Sequence, residues 1–410
     1  MRGIARTRLG HGAIGVMLVW TLVVTVMRTA RWPNDFAEAH WLFDYRLGLI
    51  KRGLPGELVA LGTGLVGRGP TEGLIAFLSA AIFALLVTTL LFVVWRLVSL
   101  DRWSGASVLT AVAFLSSSYV VMTAHLMGYF DHVVVLSSIA AVGLLLRGRA
   151  WWAGAVVAVA VLVHEHTLVV GFPAVLVAWL LANDRRRERA DAALPLLPLG
   201  LPLVSFGALA VAGARLSPDT FQDTFVPHLE SFPFVGGDMH LFVPEWLSVG
   251  VLESAGGQLH RFVERLASRD ILILIVPTTL ALLACALDRF VVTGRSRVAG
   301  IVAAVMAPQV LHMAGWDTVR IWTFSVVVAL VCAWIVAETS RPRGRQASPA
   351  VLAAAVTAVV INVVTEVPLY DNLVERYPLA TRAWLYGPAI AGCVWMLFRP
   401  GVSSLPESSA

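Results

Sequence analysis

Twelve apolar runs divide this sequence, at roughly 11–29, 74–97, 104–123, 132–146, 150–163, 167–182, 192–213, 271–292, 298–314, 320–337, 349–367 and 380–398. An α-helix needs about 20 apolar residues to cross the hydrocarbon of a bilayer. The runs therefore predict an all-α, polytopic integral membrane protein with about 12 transmembrane helices. They form a single transmembrane domain over residues 1–400, followed by a disordered tail at 401–410. Composition agrees: 58% of residues are hydrophobic, only 14% are charged, and mean hydropathy is +0.78, outside the range of soluble domains. Three runs (132–146, 150–163 and 167–182) are short. The stretch 150–182 reads as two short helices turning at His164-Glu165-His166, because one long helix would leave Glu165 at mid-membrane, where a charge is costly. The opening MRGIARTR followed by an apolar run resembles a signal sequence, but lacks a convincing small-residue cleavage site, so a retained first helix is expected. Cys285, Cys332 and Cys393 all fall inside apolar runs and read as small core residues.

Charge sorts the connecting segments into two sets. With both termini cytoplasmic, the inner segments hold 18 of the 31 Lys and Arg residues and 7 of the 26 acids. The Lys/Arg bias sets this orientation. The net charge of +5 is spread over short loops, so no nucleic-acid partner is expected. Nine of the ten histidines and 19 of the acids fall in the outer set. The short outer turns carry His125, Asp131 and His132; His164, Glu165 and His166; His312, Asp317 and Arg320; and Glu366, Asp371 and Glu375. Binding or chemistry is thus expected on the outer face.

Two outer loops are long, 30–73 and 214–270. The first carries WPNDFAEAHWLFDYRLGLIKRGLPGE, with Asp35, Glu38, His40, Asp44, Arg46, Lys51 and Arg52. Phe43, Leu47, Ile50 and Leu54 are spaced four, three and four apart, which places them on one helix face. Asp35 followed by Glu38 reads as a capped helix start, and Pro55-Gly56 as its end. The expectation is an interfacial helix lying on the membrane; the plainer alternative is a linker helix with solvated charges. A second amphipathic helix is expected in the latter half of 214–270, from Trp246 to Ala267.

Each candidate site residue has a functional and a plainer reading. Asp35 and Asp131 suit a general base or a metal ligand, and equally a helix cap. His164, Glu165 and His166 interrupt 33 apolar residues, which favours function over a wetted turn; two histidines two apart are not by themselves a zinc signature. Asp317 and Arg320 share a helix face and either pair with each other or leave Arg320 to hold a phosphate. Lys51 and Arg52 either bind phosphate or reach to lipid headgroups. Glu38, His40, Asp44, His132 and His166 complete the outer-face candidates.

The layout resembles the GT-C class of polytopic glycosyltransferases, which use polyprenyl-phosphate-linked sugars on the outer face of a membrane. Asp35 matches the acidic position early in the first outer loop, 43–54 the interfacial helix, and Asp131 the acidic motif of the second outer loop. The match spans roughly residues 10–150; a lone Asp35 stands where the best-known members carry paired acids. The resemblance implies a bacterial-type plasma membrane, an extracytoplasmic active face, and transfer from a polyprenyl-phosphate-linked donor to a glycan, lipid or protein acceptor. In that chemistry Asp35 would be the base, and Asp131 would orient the acceptor or help hold a divalent cation such as Mg or Mn. Glu165 would fix a neighbouring histidine, while Lys51, Arg52, His164 and Arg320 would neutralise the leaving phosphate. The alternative class is a transporter or flippase for a lipid-linked or small solute. Such proteins place ionisable groups at mid-membrane, whereas the polar residues inside these runs are chiefly Gln309 and Asn362.

Overall fold

A computed structural model describes residues 2–190, 192–213, 219, 221–240, 243, 262–266, 268–313, 317–369 and 373–398. Among these residues the chain is helical, and extended backbone pairs at one isolated bridge, Phe290 with Pro342. The helices are α1 (Arg2–Met27), α2 (Asp35–His40), α3 (Gly53–Leu65), α4 (Glu72–Leu100), α5 (Gly105–Leu115), α6 (Ser118–His125), α7 (Asp131–Leu146), α8 (Ala150–Val163), α9 (Thr167–Val170) and α10 (Phe172–Glu188). They continue with α11 (Leu201–Gly213), α12 (Val226–Glu230), α13 (Phe262–Leu266), α14 (Arg269–Arg289), α15 (Arg295–Met306), α16 (Thr318–Thr339), α17 (Pro349–Val364) and α18 (Leu379–Phe398). The helix expected over 246–267 lies outside the described residues apart from α13, and so does the 401–410 tail.

Among the described residues, seven helical segments are long and apolar enough to cross a membrane: Gly10–Met27, Glu72–Leu100, Gly105–His125, Thr167–Glu188, Ile271–Arg289, Arg295–Met313 and Thr318–Thr339. Four more apolar helices are shorter: α7, α8, Leu197–Ala212 and α17. The 14 residues of α8 rise about 21 Å, against about 30 Å of hydrocarbon. The apolar runs are thus helical, but they are not twelve helices of full spanning length.

The bundle is built around α16. Every residue from Ile321 to Ala337 is buried, and α4, α7, α10, α14 and α15 pack around it. A helix that is apolar on every side is stable only when enclosed by others. α5 and α6 form the second enclosed element. They divide one apolar run at Ser116-Ser117, where the Ala113 carbonyl accepts instead from Asn362 Nδ2 (2.8 Å) and Ser116 Oγ (3.2 Å). That replaces the helix bond lost at the break, as an apolar surround requires. By contrast α4 leaves Phe77, Leu85 and Phe92 more than half exposed, the surface a lipid-facing helix presents.

The two sets of loops that charge separates gather at opposite ends. At one end Arg96 pairs with Glu338 (2.8 Å), Arg289 with Asp101 (2.9 Å), Arg297 with Asp184 (3.0 Å) and Arg345 with Asp288 (2.7 Å). At the other, Arg31 donates to the His125 carbonyl (3.0 Å), Trp41 to the Gly128 carbonyl (3.0 Å) and Arg265 to the His312 carbonyl (3.1 Å). The 29 residues of α4, about 44 Å long, run from one set to the other. The chain reverses at His164-Glu165-His166, and the backbone of Gly148 meets the Arg186 side chain at the far end.

The first long loop departs from its expected form. Instead of one helix from Asp35 to Leu54 there are α2, a 3-10 turn at Tyr45–Leu47, and α3. Asn34 rather than Asp35 caps α2, accepting from Ala37 N (3.0 Å). Pro55 and Gly56 lie in the first turn of α3 and begin a helix where they were expected to end one, because the first-turn amides have no intrahelical acceptor and proline loses nothing there. Gly56 is required: a Cβ would come within 1.9 Å of the Phe43 carbonyl oxygen. Phe43 and Ile50 do not rest on lipid. They are buried with Phe225, Leu229, Val235 and Val243 of the second long loop, in a small apolar core that caps this end of the bundle.

Candidate functional site

Beneath that cap, side chains from five parts of the sequence meet. Asp131 is the first residue of α7, where the helix dipole favours a carboxylate. Arg320 sits in the first turn of α16, whose N-cap is Asp317, accepting from Arg320 N (3.1 Å). Arg320 Nε reaches Asp131 Oδ2 at 2.6 Å, and its guanidinium lies over the Tyr129 ring, 5.1 Å from the centroid. His164 leaves α8 in an extended conformation and presents Nε2 to Asp131 Oδ1 (3.7 Å) and Nδ1 to Glu165 Oε2 (3.4 Å). The Thr167 hydroxyl fixes this turn by donating to the carbonyls of Ala160 (3.0 Å) and His164 (2.7 Å).

The first loop contributes a second arginine. Arg52 Nη2 pairs with Glu165 Oε1 at 3.2 Å, and Nη1 lies 3.2 Å from His40 Nε2. His40 Nδ1 in turn bonds the Phe36 carbonyl (2.6 Å). A ring that donates from Nδ1 to a carbonyl and accepts at Nε2 is neutral, and burial with Arg52 alongside pushes the His40 pKa down to about 3. Arg52 itself has left-handed backbone (φ 61°), strained for a residue with a Cβ and held here by its side-chain contacts with His40 and Glu165. Gly128, at φ +97°, lets the second outer loop close on the first, since a Cβ there would meet Pro33 and Ala37. Phe36, His40, Arg52, Tyr129, His164 and Arg320 close around a void of only about 10 Å³, room for about one water molecule.

Two carboxylates face two guanidiniums, so the buried cluster is close to electrically balanced. Burial alone would raise the Glu165 pKa, but Arg52, His164 and His166 together hold it well below the ordinary carboxylate value. One part of the cluster stays unsatisfied. Asp131 Oδ1, His164 Nε2 and His166 Nδ1 are buried and have no hydrogen-bond partner. One ligand-type atom from each of these three residues lies within 4.8 Å of the others.

Seven residues singled out in the sequence converge here: His40, Arg52, Asp131, His164, Glu165, His166 and Arg320. Lys51 is half-buried near Glu165, with its ammonium pKa lowered chiefly by burial. The others serve elsewhere. Asp317 caps α16. Asp44 caps the 3-10 turn, accepting from Arg46 N (2.9 Å), and pairs with the Arg46 side chain. His132 turns from the cluster to the Thr123 carbonyl (3.1 Å). Asp35 is exposed and lies against Gly236, and among the described residues no hydrogen bond or ion pair joins it to Asp131. Its near neighbour Glu38 is buried, and burial, Glu72 and Asp35 raise the Glu38 pKa to about 7. Tyr129, under Arg320, was not singled out in the sequence, where its only signal is its place two residues before Asp131. Glu375, expected among the outer-face acids, instead neutralises the fully buried Arg28 (2.7 Å) and ties the end of α1 to the 366–378 loop. Asp371 lies outside the described residues.

Comparison with known proteins finds no matching family model, no similar curated protein and no similar solved structure. The chain is thus defined by its own features: an all-helical bundle with helices of membrane-spanning length, closed at one end by loops over a buried Asp/Glu/His/Arg cluster.

Proposed function

We propose that this protein transfers a sugar from a polyprenyl-phosphate-linked donor to an acceptor on the extracytoplasmic face of a bacterial-type plasma membrane. In this reading the shorter helices and α18 complete twelve crossings. Both termini are cytoplasmic, and the cluster end of the bundle faces outward. The observation that carries the reading is the convergence of Arg52 and Arg320 with three imidazoles at one end of the bundle. A leaving phosphate needs planar, permanently charged donors held in advance, and these two guanidiniums are held by buried partners.

The reaction is a displacement at the anomeric carbon. The acceptor oxygen forms a bond to that carbon, the bond from carbon to the phosphate oxygen breaks, and the electron pair leaves with the polyprenyl phosphate. The acceptor proton goes to a carboxylate. The resemblance to the GT-C layout implies Asp35 as the base, beside a Glu38 whose pKa of about 7 suits proton exchange near neutrality, while Asp131 and Glu165 already engage Arg320 and Arg52. Asp131 and Glu165 then act by positioning the two arginines and His164.

Asp35→Asn tests the assignment, because an exposed carboxylate with no ion-pair partner among the described residues is replaced without disturbing packing. The variant should stay folded and lose transfer in vesicles supplied with labelled polyprenyl-phosphate sugar, and donor should accumulate. Full transfer by folded Asp35→Asn rejects this base. Solute uptake with no glycosyl product from any polyprenyl donor favours a transporter instead.

A further inference from the structure

We propose that Asp131, His164 and His166 bind one divalent first-row transition-metal cation of zinc type, with an anion as a further ligand. This goes beyond glycosyl transfer and does not depend on it. The first observation is the set of orphaned atoms: Asp131 Oδ1, His164 Nε2 and His166 Nδ1 are buried without hydrogen-bond partners. Buried polar atoms are nearly always partnered, so three orphans on residues whose ligand-type atoms lie within 4.8 Å of one another point to a missing partner. His164 is 1% exposed and Asp131 7% exposed, so bulk water does not satisfy them.

The geometry suits an ion. Two atoms each about 2.1 Å from a tetrahedral metal stand about 3.4 Å apart. Asp131 Oδ1 and His164 Nε2 are already 3.7 Å apart, and the His166 ligand atom lies within 4.8 Å of the others. Closing that gap takes a shift of about an ångström by His166, on a turn and half-buried.

The surroundings suit one too. Arg320 occupies Asp131 Oδ2, which leaves Oδ1, 3.7 Å from His164 Nε2, as the oxygen available to an ion. Glu165 Oε2 lies 3.4 Å from His164 Nδ1. A carboxylate behind a ligating imidazole accepts a hydrogen bond from Nδ1–H, which leaves Nε2 for the metal; the His166 N–H also points at Nδ1 (3.2 Å), so metal binding at Nε2 requires that contact to give way to the Glu165 bond. Arg52 anchors that carboxylate, so Glu165 is a positioning residue for the site. Two imidazoles and one carboxylate favour zinc or a neighbouring transition metal over magnesium, which prefers oxygen ligands. Three protein ligands leave at least one position open. The two acids and two arginines cancel, so a dication would leave the pocket strongly positive unless an anion, hydroxide or a phosphate oxygen, completes its coordination.

The test is metal binding by the purified full-length chain in detergent after chelation, read by Co2+ absorption and Zn2+ competition. Wild type should bind one Co2+ with the visible bands of a tetrahedral site, displaced by Zn2+ and not by a thousandfold excess of Mg2+. His166→Gln should abolish the bands, and Glu165→Gln should weaken Zn2+ binding by about 10- to 100-fold. X-ray absorption of the zinc-loaded wild type should show two imidazoles at about 2.0 Å; this needs no variant and holds even if His166→Gln fails to fold. Absence of stoichiometric binding, sulfur ligands from the cysteines, or bands unchanged in folded His166→Gln would each overturn the proposal.

Discussion

Removing one half of the Asp131–Arg320 pair should destabilise the bundle far more than removing both. The pair is short (2.6 Å), and its side chains are only 9% and 14% exposed. Breaking a buried pair by neutralising one partner strands the other charge and costs about 3–5 kcal/mol. Arg320→Gln also gives up its position over Tyr129, about 0.5–1 kcal/mol more. In Asp131→Asn/Arg320→Gln no charge is stranded, and the remaining loss is one of hydrogen bonding, about 1–2 kcal/mol. The double variant should therefore be more stable than either single one, with a coupling of several kcal/mol. Equilibrium unfolding in mixed micelles, with chelator present so that bound metal does not contribute, measures all four proteins. Additive losses, or single losses under about 1 kcal/mol, would show that water reaches the pair and that the cluster is not the closed site described.

Three further outcomes follow from particular residues. Glu38 keeps its proton in the folded state up to about pH 7 against 4.5 for the free group, so stability should fall as pH rises from about 4.5 to 7, by at most about 3 kcal/mol, and Glu38→Gln should flatten that stretch of the pH–stability curve. Gly56→Ala forces a methyl against the Phe43 carbonyl and should cost about 1–3 kcal/mol while loosening the cap, detected as faster proteolysis of the 43–57 segment. Asn362→Leu removes the shorter of the two hydrogen bonds to the Ala113 carbonyl and the link to Thr278 Oγ1, and should lower thermal stability by the equivalent of about 1–3 kcal/mol, whereas Asn362→Gln should lose less.

The parts of the fold legible in the sequence are those set by solvent. Apolar runs become helices because lipid leaves the backbone no other partner, and His164-Glu165-His166 breaks its run because Glu165 needs Arg52, which comes from the loop end. The division of loops into two ends follows from charge for the same reason. The fold of the first outer loop is not legible in the sequence, because spacing alone cannot tell a helix face from a folded segment. Phe43 and Ile50 do sit on one side, but the side faces residues of the second long loop, nearly 200 positions away, and Pro55 can open a helix as well as close one. Pairing was equally hidden. Asp317 and Arg320 looked like partners at three residues' distance, yet the carboxylate caps the helix while the guanidinium goes to Asp131, 189 residues away in sequence. Short runs such as 150–163 give the helix but not whether it crosses.

The most direct measurement is where a polyprenyl phosphate places its phosphate. A structure of the protein with a non-transferable polyprenyl-phosphate analogue should show the phosphate bonded to Arg52 and Arg320 at the cluster end. At the opposite end Arg185, Arg189 and Arg297 line a larger cavity of about 450 Å³ with the chemistry to hold anionic headgroups. A phosphate found in that cavity, with the Asp131–Arg320 and Arg52–Glu165 pairs undisturbed, would contradict the account.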